Sequence, residues 1–119
     1  MNFRAKAQEQ LSLSDIMRNR DKLDTEQLIG LHPNCVNIDD FDLTNINGEI
    51  VAVYSVKEEP KYFLFGGKLL KDLFECYVKE YDGDIEKCRE DFRTSGGIQV
   101  KLERGKTREN REITKVTVL

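Results

Sequence analysis

Arg104, Lys106, Arg108 and Arg111 stand within eight residues near the C-terminus, with Glu109 the acid between them and Gly105 loosening the backbone. Guanidinium and ammonium groups at this density suit a polyanion, because each can neutralise a phosphate and release its counterions. Lys57 and Lys61 flank a turn at Glu58-Glu59-Pro60, and Tyr54, Tyr62, Phe63 and Phe65 lie on the runs either side of it. Cations that track a backbone, together with rings on which bases stack, are the two parts of single-strand binding. The plainer reading of the same residues is a solvated hairpin loop and a set of core aromatics.

Other candidates for chemistry have less behind them. His32 is the one histidine, and a Cys-His dyad would need Cys35, three residues away, held against it in fixed geometry; a turn histidine beside Pro33 explains it more simply. Gly66-Gly67-Lys68 opens a helix and invites a phosphate, but the Walker pattern is incomplete: Leu69 follows the lysine where Ser or Thr belongs. Glycines that permit a sharp strand-to-helix turn account for it. Asp82-Gly83-Asp84 falls short of a calcium loop and reads as helix capping. Asp39, Asp40 and Asp42 have no metal-ligand partner in sequence and read as a solvated bulge. No Cys/His spacing suits zinc and no cofactor motif is present, so the chain reads as non-enzymatic.

The elements that must position these residues follow from periodicity. Ser14 can cap a short helix through Ile16 and Met17, and Asp24 with Gln27 forms a capping-box pattern before Leu28, Ile29 and Leu31. His32-Pro33-Asn34 breaks the chain. Beyond it Val36 and Ile38 share one strand parity, Phe41 and Leu43 the other, so an extra residue at Asp39-Asp40 must bend the strand. Asn47-Gly48 is a two-residue hairpin turn. Glu49 to Lys57 and Lys61 to Phe65 read as the next strands.

Leu70, Leu73, Phe74, Tyr77, Val78 and Tyr81 then fall on one helical stripe. A second short helix turns Ile85, Cys88 and Phe92 inward and ends at Ser95-Gly96-Gly97. Ile98, Val100 and Leu102 alternate as a strand, and a last strand ends at Leu119. The order β-β-β-α-β-β, with a bent first strand, predicts a five-stranded OB-fold barrel over residues 35–119 with an N-terminal helical extension over residues 1–31. A sheet with one helix layer also satisfies that order.

Bulk properties agree with one small domain: 119 residues, 39% hydrophobic, net charge −3. No apolar run is long enough to span a bilayer. The N-terminus has no export signal and the three cysteines are unpaired in number, which points to reduced thiols in a cytoplasmic protein. Charge is uneven. Residues 32–66 carry two basic against six acidic side chains, whereas residues 96–119 carry six against three.

From Val36 onward the sequence resembles a family of small proteins of phages and conjugative elements of Gram-positive bacteria. The resemblance is carried by the Asn47-Gly48 turn with Val53-Tyr54-Ser55-Val56, the block from Lys61 to Leu70, Tyr81-Asp82-Gly83-Asp84-Ile85-Glu86, Ser95 to Leu102, and Gly105-Lys106-Thr107-Arg108 with Ile113-Thr114-Lys115-Val116. It implies an OB-type fold and single-stranded DNA binding. Where related loops often carry a Ser-Gly-Asn-Asn turn, this chain has Arg108-Glu109-Asn110-Arg111, which adds charge.

Residues and resemblance together predict a sequence-tolerant single-stranded DNA-binding protein of a mobile element, acting in replication or transfer, with a replication protein as a further partner. Lys57, Lys61, Arg104, Lys106, Arg108 and Arg111 are expected on phosphates, and Tyr54, Tyr62, Phe63 and Phe65 on bases. Self-association through residues 1–31 stays open. The alternative is a protein-binding inhibitor that imitates nucleic acid with Asp39, Asp40, Asp42, Glu58 and Glu59 and blocks a host nucleic-acid machine.

Overall fold

The computed structural model describes residues 14–119. The helix expected after Ser14 is a single 3₁₀ turn, Asp15–Met17, whose Ile16 N–H donates to the Ser14 hydroxyl at 3.2 Å. It is followed by a two-residue strand, β1 (Asp21–Lys22), and a short helix, α1 (Thr25–Leu31). The Gln27 carboxamide reaches back to accept from the Asp24 N–H at 3.2 Å, the returning half of the expected capping box. Strands β2 (Val36–Ile46), β3 (Glu49–Val56) and β4 (Tyr62–Gly66) come next. Helices α2 (Lys68–Lys79) and α3 (Ile85–Thr94) follow, then strands β5 (Ile98–Lys106) and β6 (Glu112–Val118).

From Val36 onward each element lies where periodicity placed it, but the strands do not form an OB barrel. They make one open six-stranded mixed sheet in the order β1-β4-β3-β2-β5-β6. Closure would require β6 to reach the outer edge of β4. That edge is taken by β1, which runs parallel to it with Asp21 opposite Tyr62 and Lys22 opposite Phe63. Leu23 N–H adds a bond to the Phe63 carbonyl at 2.9 Å. Helix α1 packs against both β4 and β5, filling the gap across which the last strand would have had to pair. The backbone groups that closure needs are therefore spent elsewhere.

The bend in β2 is real and its cause is the expected one. Its register against β3 shifts between Ile38 and Asp40, leaving Asp39 as the extra residue. The shift lets Val36, Ile38 and Phe41 all enter the main core despite their mixed parity. The β2–β3 turn has Asn47 at φ 53° and Gly48 at φ 86°, the two positive values that its hairpin type requires.

Two apolar layers result. On the side covered by α1, α2 and α3, Phe41 stacks on Phe74 with ring centroids 4.5 Å apart, and Phe92 meets Phe41 edge-on at 5.0 Å. Leu23 and Leu28 from the N-terminal segment complete this core. On the opposite side Val53 and Phe63 are covered by Ile16 of the 3₁₀ turn, with Met17 and Phe65 at the margin. Full burial of a large apolar side chain contributes about 1.5–3 kcal/mol, so the short segment at residues 14–31 supports both faces of the sheet.

Candidate nucleic-acid interface

The basic residues fall into two groups. Beyond Leu102, strands β5 and β6 continue as a two-stranded arm, paired to its end at Lys106 and Glu112. Its tip is a tight turn in which Thr107 N–H donates to the Arg111 carbonyl at 2.9 Å and Asn110 takes φ 62°. Lys106 and Arg108 are exposed there with no ion pair to any described residue. Arg111 is exposed and lies 3.9 Å from Glu109, a loose contact.

Arg104 is differently placed. Its guanidinium bonds Glu112 at 2.9 Å and the Thr114 hydroxyl at 2.8 Å, and lies 3.6 Å from Glu26 of α1. These contacts fix the arm against α1 and offset much of the charge of Arg104.

Lys57 and Lys61 form the second group, exposed at the turn between β3 and β4. Lys57 N–H donates to the Asn37 carbonyl, and Asn37 pairs with Gln99 at the start of β5. Lys106 lies seven residues further along β5 than Gln99, about 24 Å of strand. Helix α1 stands between the groups, its C-terminal His32 meeting Glu59 at 3.0 Å.

The aromatic residues do not make one platform. Tyr54 is fully buried in the main core and Phe63 is 8% exposed in the opposite layer. Burial raises the Tyr54 phenol far above its ordinary range, with Thr25 of α1 beside it. Tyr62 and Phe65 are half-buried, but Tyr62 packs on the main core and Phe65 on the other face of β4, where Lys22 Nζ lies 5.4 Å over its ring. These four rings, expected on bases as one set, are split by the strand alternation. Tyr54 and Tyr62 lie on one face and Phe63 and Phe65 on the other, where the 3₁₀ turn covers Phe63.

The remaining sequence candidates are held in structural contacts. His32 turns to Glu59, while Cys35 Sγ accepts from the Gln99 amide at 3.1 Å. Asp84 caps α3, accepting from Lys87 N–H at 3.2 Å. Among the described residues no three His, Cys, Asp or Glu side chains are gathered as a metal ion needs. Asp39 accepts from the Ser55 hydroxyl at 2.6 Å, and Glu58 accepts from the Asn37 backbone and amide at 2.6–3.0 Å.

Asp40 and Asp42 surround Arg89, whose side chain is 4% exposed; it lies 3.1 Å from Asp40, 3.6 Å from Asp42 and 2.8 Å from Asp15. Burial alone would ease the proton off this guanidinium, but the bonds to Asp15 and Asp40 and the charges of Asp40 and Asp42 hold it more firmly than usual. The solvated bulge expected from the sequence is thus the wall of a buried ion cluster. A signal for it existed: Arg89 falls on the i, i+3, i+4, i+7 stripe of Ile85, Cys88 and Phe92.

Comparison of this chain with family models, with curated proteins and with solved structures finds no match.

Proposed function

We propose that the chain is a non-enzymatic protein that binds single-stranded DNA without strong sequence preference, holding the phosphate backbone on the β5–β6 arm. The observation that carries this reading is the exposure of Lys106 and Arg108, with Arg111 beside them, at the end of a paired and therefore stiff arm. A stiff arm fixes its cations without the entropy loss that a loose loop suffers on binding. The proposed role, replication or transfer of a mobile element, rests on the resemblance in sequence alone, since the OB barrel which that resemblance implied is not the fold of this chain. Base stacking is a minor part of the proposal, resting on Tyr62 and Phe65 at the margins of two different layers.

The alternative, an acidic mimic that blocks a host machine, has less to support it. All five of its carboxylates are engaged within the chain: Asp39, Asp40, Asp42 and Glu58 accept hydrogen bonds, Glu59 meets His32 at 3.0 Å, and Asp42 also faces Arg89.

The test is fluorescence anisotropy with a labelled poly-dT oligonucleotide at two salt concentrations. Binding in the range of about 10⁻⁴ to 10⁻⁶ M that weakens at the higher salt supports the reading. No binding at the lower salt overturns it.

A further inference from the structure

A second site lies away from the arm, between the end of α2, the outer side of α3 and the start of β5. It is an open groove of about 480 Å³. Tyr77 and Phe92 form its inner wall, with ring centroids 6.3 Å apart and planes tilted by 40°. Tyr81 also lines it, its hydroxyl donating to Asp91 Oδ2 at 2.7 Å. That bond, with a lesser cost from burial, keeps the Tyr81 phenol protonated above its usual range. Glu80 and Asp91 are the charged groups of the lining, which contains no Lys or Arg. Cys88 closes the floor, its thiol pushed up by burial and by the Asp91 carboxylate, so it stays neutral.

Three rings and two carboxylates around an open space define the ligand by its chemistry. Ring faces carry negative electrostatic potential and attract a cation that comes within about 6 Å of the centroid. The carboxylates add charge of the same sign, so an anion is repelled and an unpaired cation is drawn in. Phe92 and Ile98 offer an apolar wall for a short hydrocarbon stem. The Tyr81–Asp91 bond is the organising feature. It fixes one ring and one carboxylate together in the absence of any ligand, so the charged side of the groove is formed in advance.

We propose that this groove binds an organic cation, an alkylammonium or alkylguanidinium group, with its stem against Phe92 and its charge between Glu80 and Asp91. The same chemistry is offered by a free amine and by a Lys or Arg side chain of a peptide. The site is independent of the nucleic-acid arm: nothing in it depends on Lys106 or Arg108.

The test is an NMR titration of the full-length ¹⁵N-labelled chain with n-butylguanidinium, and with n-butylurea as its neutral counterpart of matching shape. The cation is expected to shift the backbone amides of Tyr77, Tyr81, Cys88, Phe92 and Ile98, and to bind at least about fivefold more tightly than the urea. Glu80→Gln with Asp91→Asn should erase that preference while the rest of the spectrum stays in place. Both positions are exposed, so the fold tolerates the change. Equal binding of cation and urea, or no shift at the groove, overturns the proposal. Acetyl-arginine-N-methylamide run alongside identifies the source. Tighter binding than the free guanidinium assigns a basic peptide side chain, and weaker binding assigns a small free cation.

Discussion

Arg89 and Asp15 are 74 residues apart in sequence, yet Nη2 of one donates to Oδ1 of the other at 2.8 Å. The contact joins α3 to the 3₁₀ turn, and Asp40 and Asp42 of β2 close around the same guanidinium. Helix α3, the 3₁₀ turn and β2 thereby meet at one buried guanidinium.

Arg89→Ala should cost about 3–5 kcal/mol in denaturant unfolding, because Asp40 and Asp42, both largely buried, lose the cation they share. Arg93 is left 3.4 Å from Asp40 alone. Adding Asp40→Asn and Asp42→Asn to Arg89→Met should recover much of that loss, since the penalty comes from the orphaned charges. A cost below about 1 kcal/mol for Arg89→Ala would mean that the cluster does not anchor the fold.

Asp15 gives the cluster a pH signature. Burial tends to raise its pKa, but the Arg89 hydrogen bond and the charges of Arg89 and Arg93 outweigh it and hold the carboxyl below its ordinary value of 3.8. A folded-state pKa below the unfolded one stabilises the fold fully above about pH 4, and the gain is lost as pH falls through the folded value. Asp15→Asn should therefore remove part of the acid sensitivity between about pH 4 and pH 2. The side chain is more than half exposed, so at neutral pH the substitution should cost under about 1 kcal/mol. Unfolding curves of the two proteins that stay parallel from neutral pH down to pH 2 would refute the linkage.

Tyr54 was expected on bases and lies in the core, its buried hydroxyl left without a full hydrogen bond. Tyr54→Phe removes a desolvated polar group and leaves the ring, so stability should stay level or rise by up to about 1 kcal/mol. Affinity for poly-dT should not change. A loss of DNA binding with stability intact would restore Tyr54 to the interface.

What the sequence could and could not show divides along the range of the interactions. The Asp39 bulge, the Asn47-Gly48 turn, the Asp84 cap and the stripe of α2 are set within a few residues, and each is legible. The joining of sheet edges is not. Asp21-Lys22 has no alternation to mark it as a strand, and its parallel pairing with β4 depends on a long crossover through residues 23–61. Once that strand occupies β4, the barrel that the element order suggested cannot close. The aromatic half of the interface failed for a related reason, since Ile16 comes from far away in sequence to cover Phe63.

The arm offers a graded test of the nucleic-acid reading. Lys106→Glu with Arg108→Glu should flatten the dependence of log K on log salt by at least about 1.4, the share of two phosphates on a single strand at about 0.7 each. Arg104→Gln should change it far less, because that guanidinium is committed to Glu112 and Glu26. Equal effects from both sets would show that the pairing of Arg104 does not persist in the complex. No effect from either would move the contact away from the arm.

Gly97 should be the least replaceable residue of the turn between α3 and β5. Both Gly96, at φ 91°, and Gly97, at φ 76°, lie where L side chains are strained, so Ala at either carries a backbone cost of about 1–2 kcal/mol. At Gly96 an added Cβ meets nothing within 4 Å. At Gly97 it runs into the Ile38 carbonyl, at the point where β2 begins its bulge and pairs with Ile98. The obstacle there is backbone, which cannot swing aside as a side chain would. Gly96→Ala should lower the unfolding free energy by that backbone cost alone, whereas Gly97→Ala should lose several kcal/mol or fail to fold. Equal costs at the two positions would indicate that the β2–β5 contact yields, and that the bend at Asp39 is softer than its packing implies.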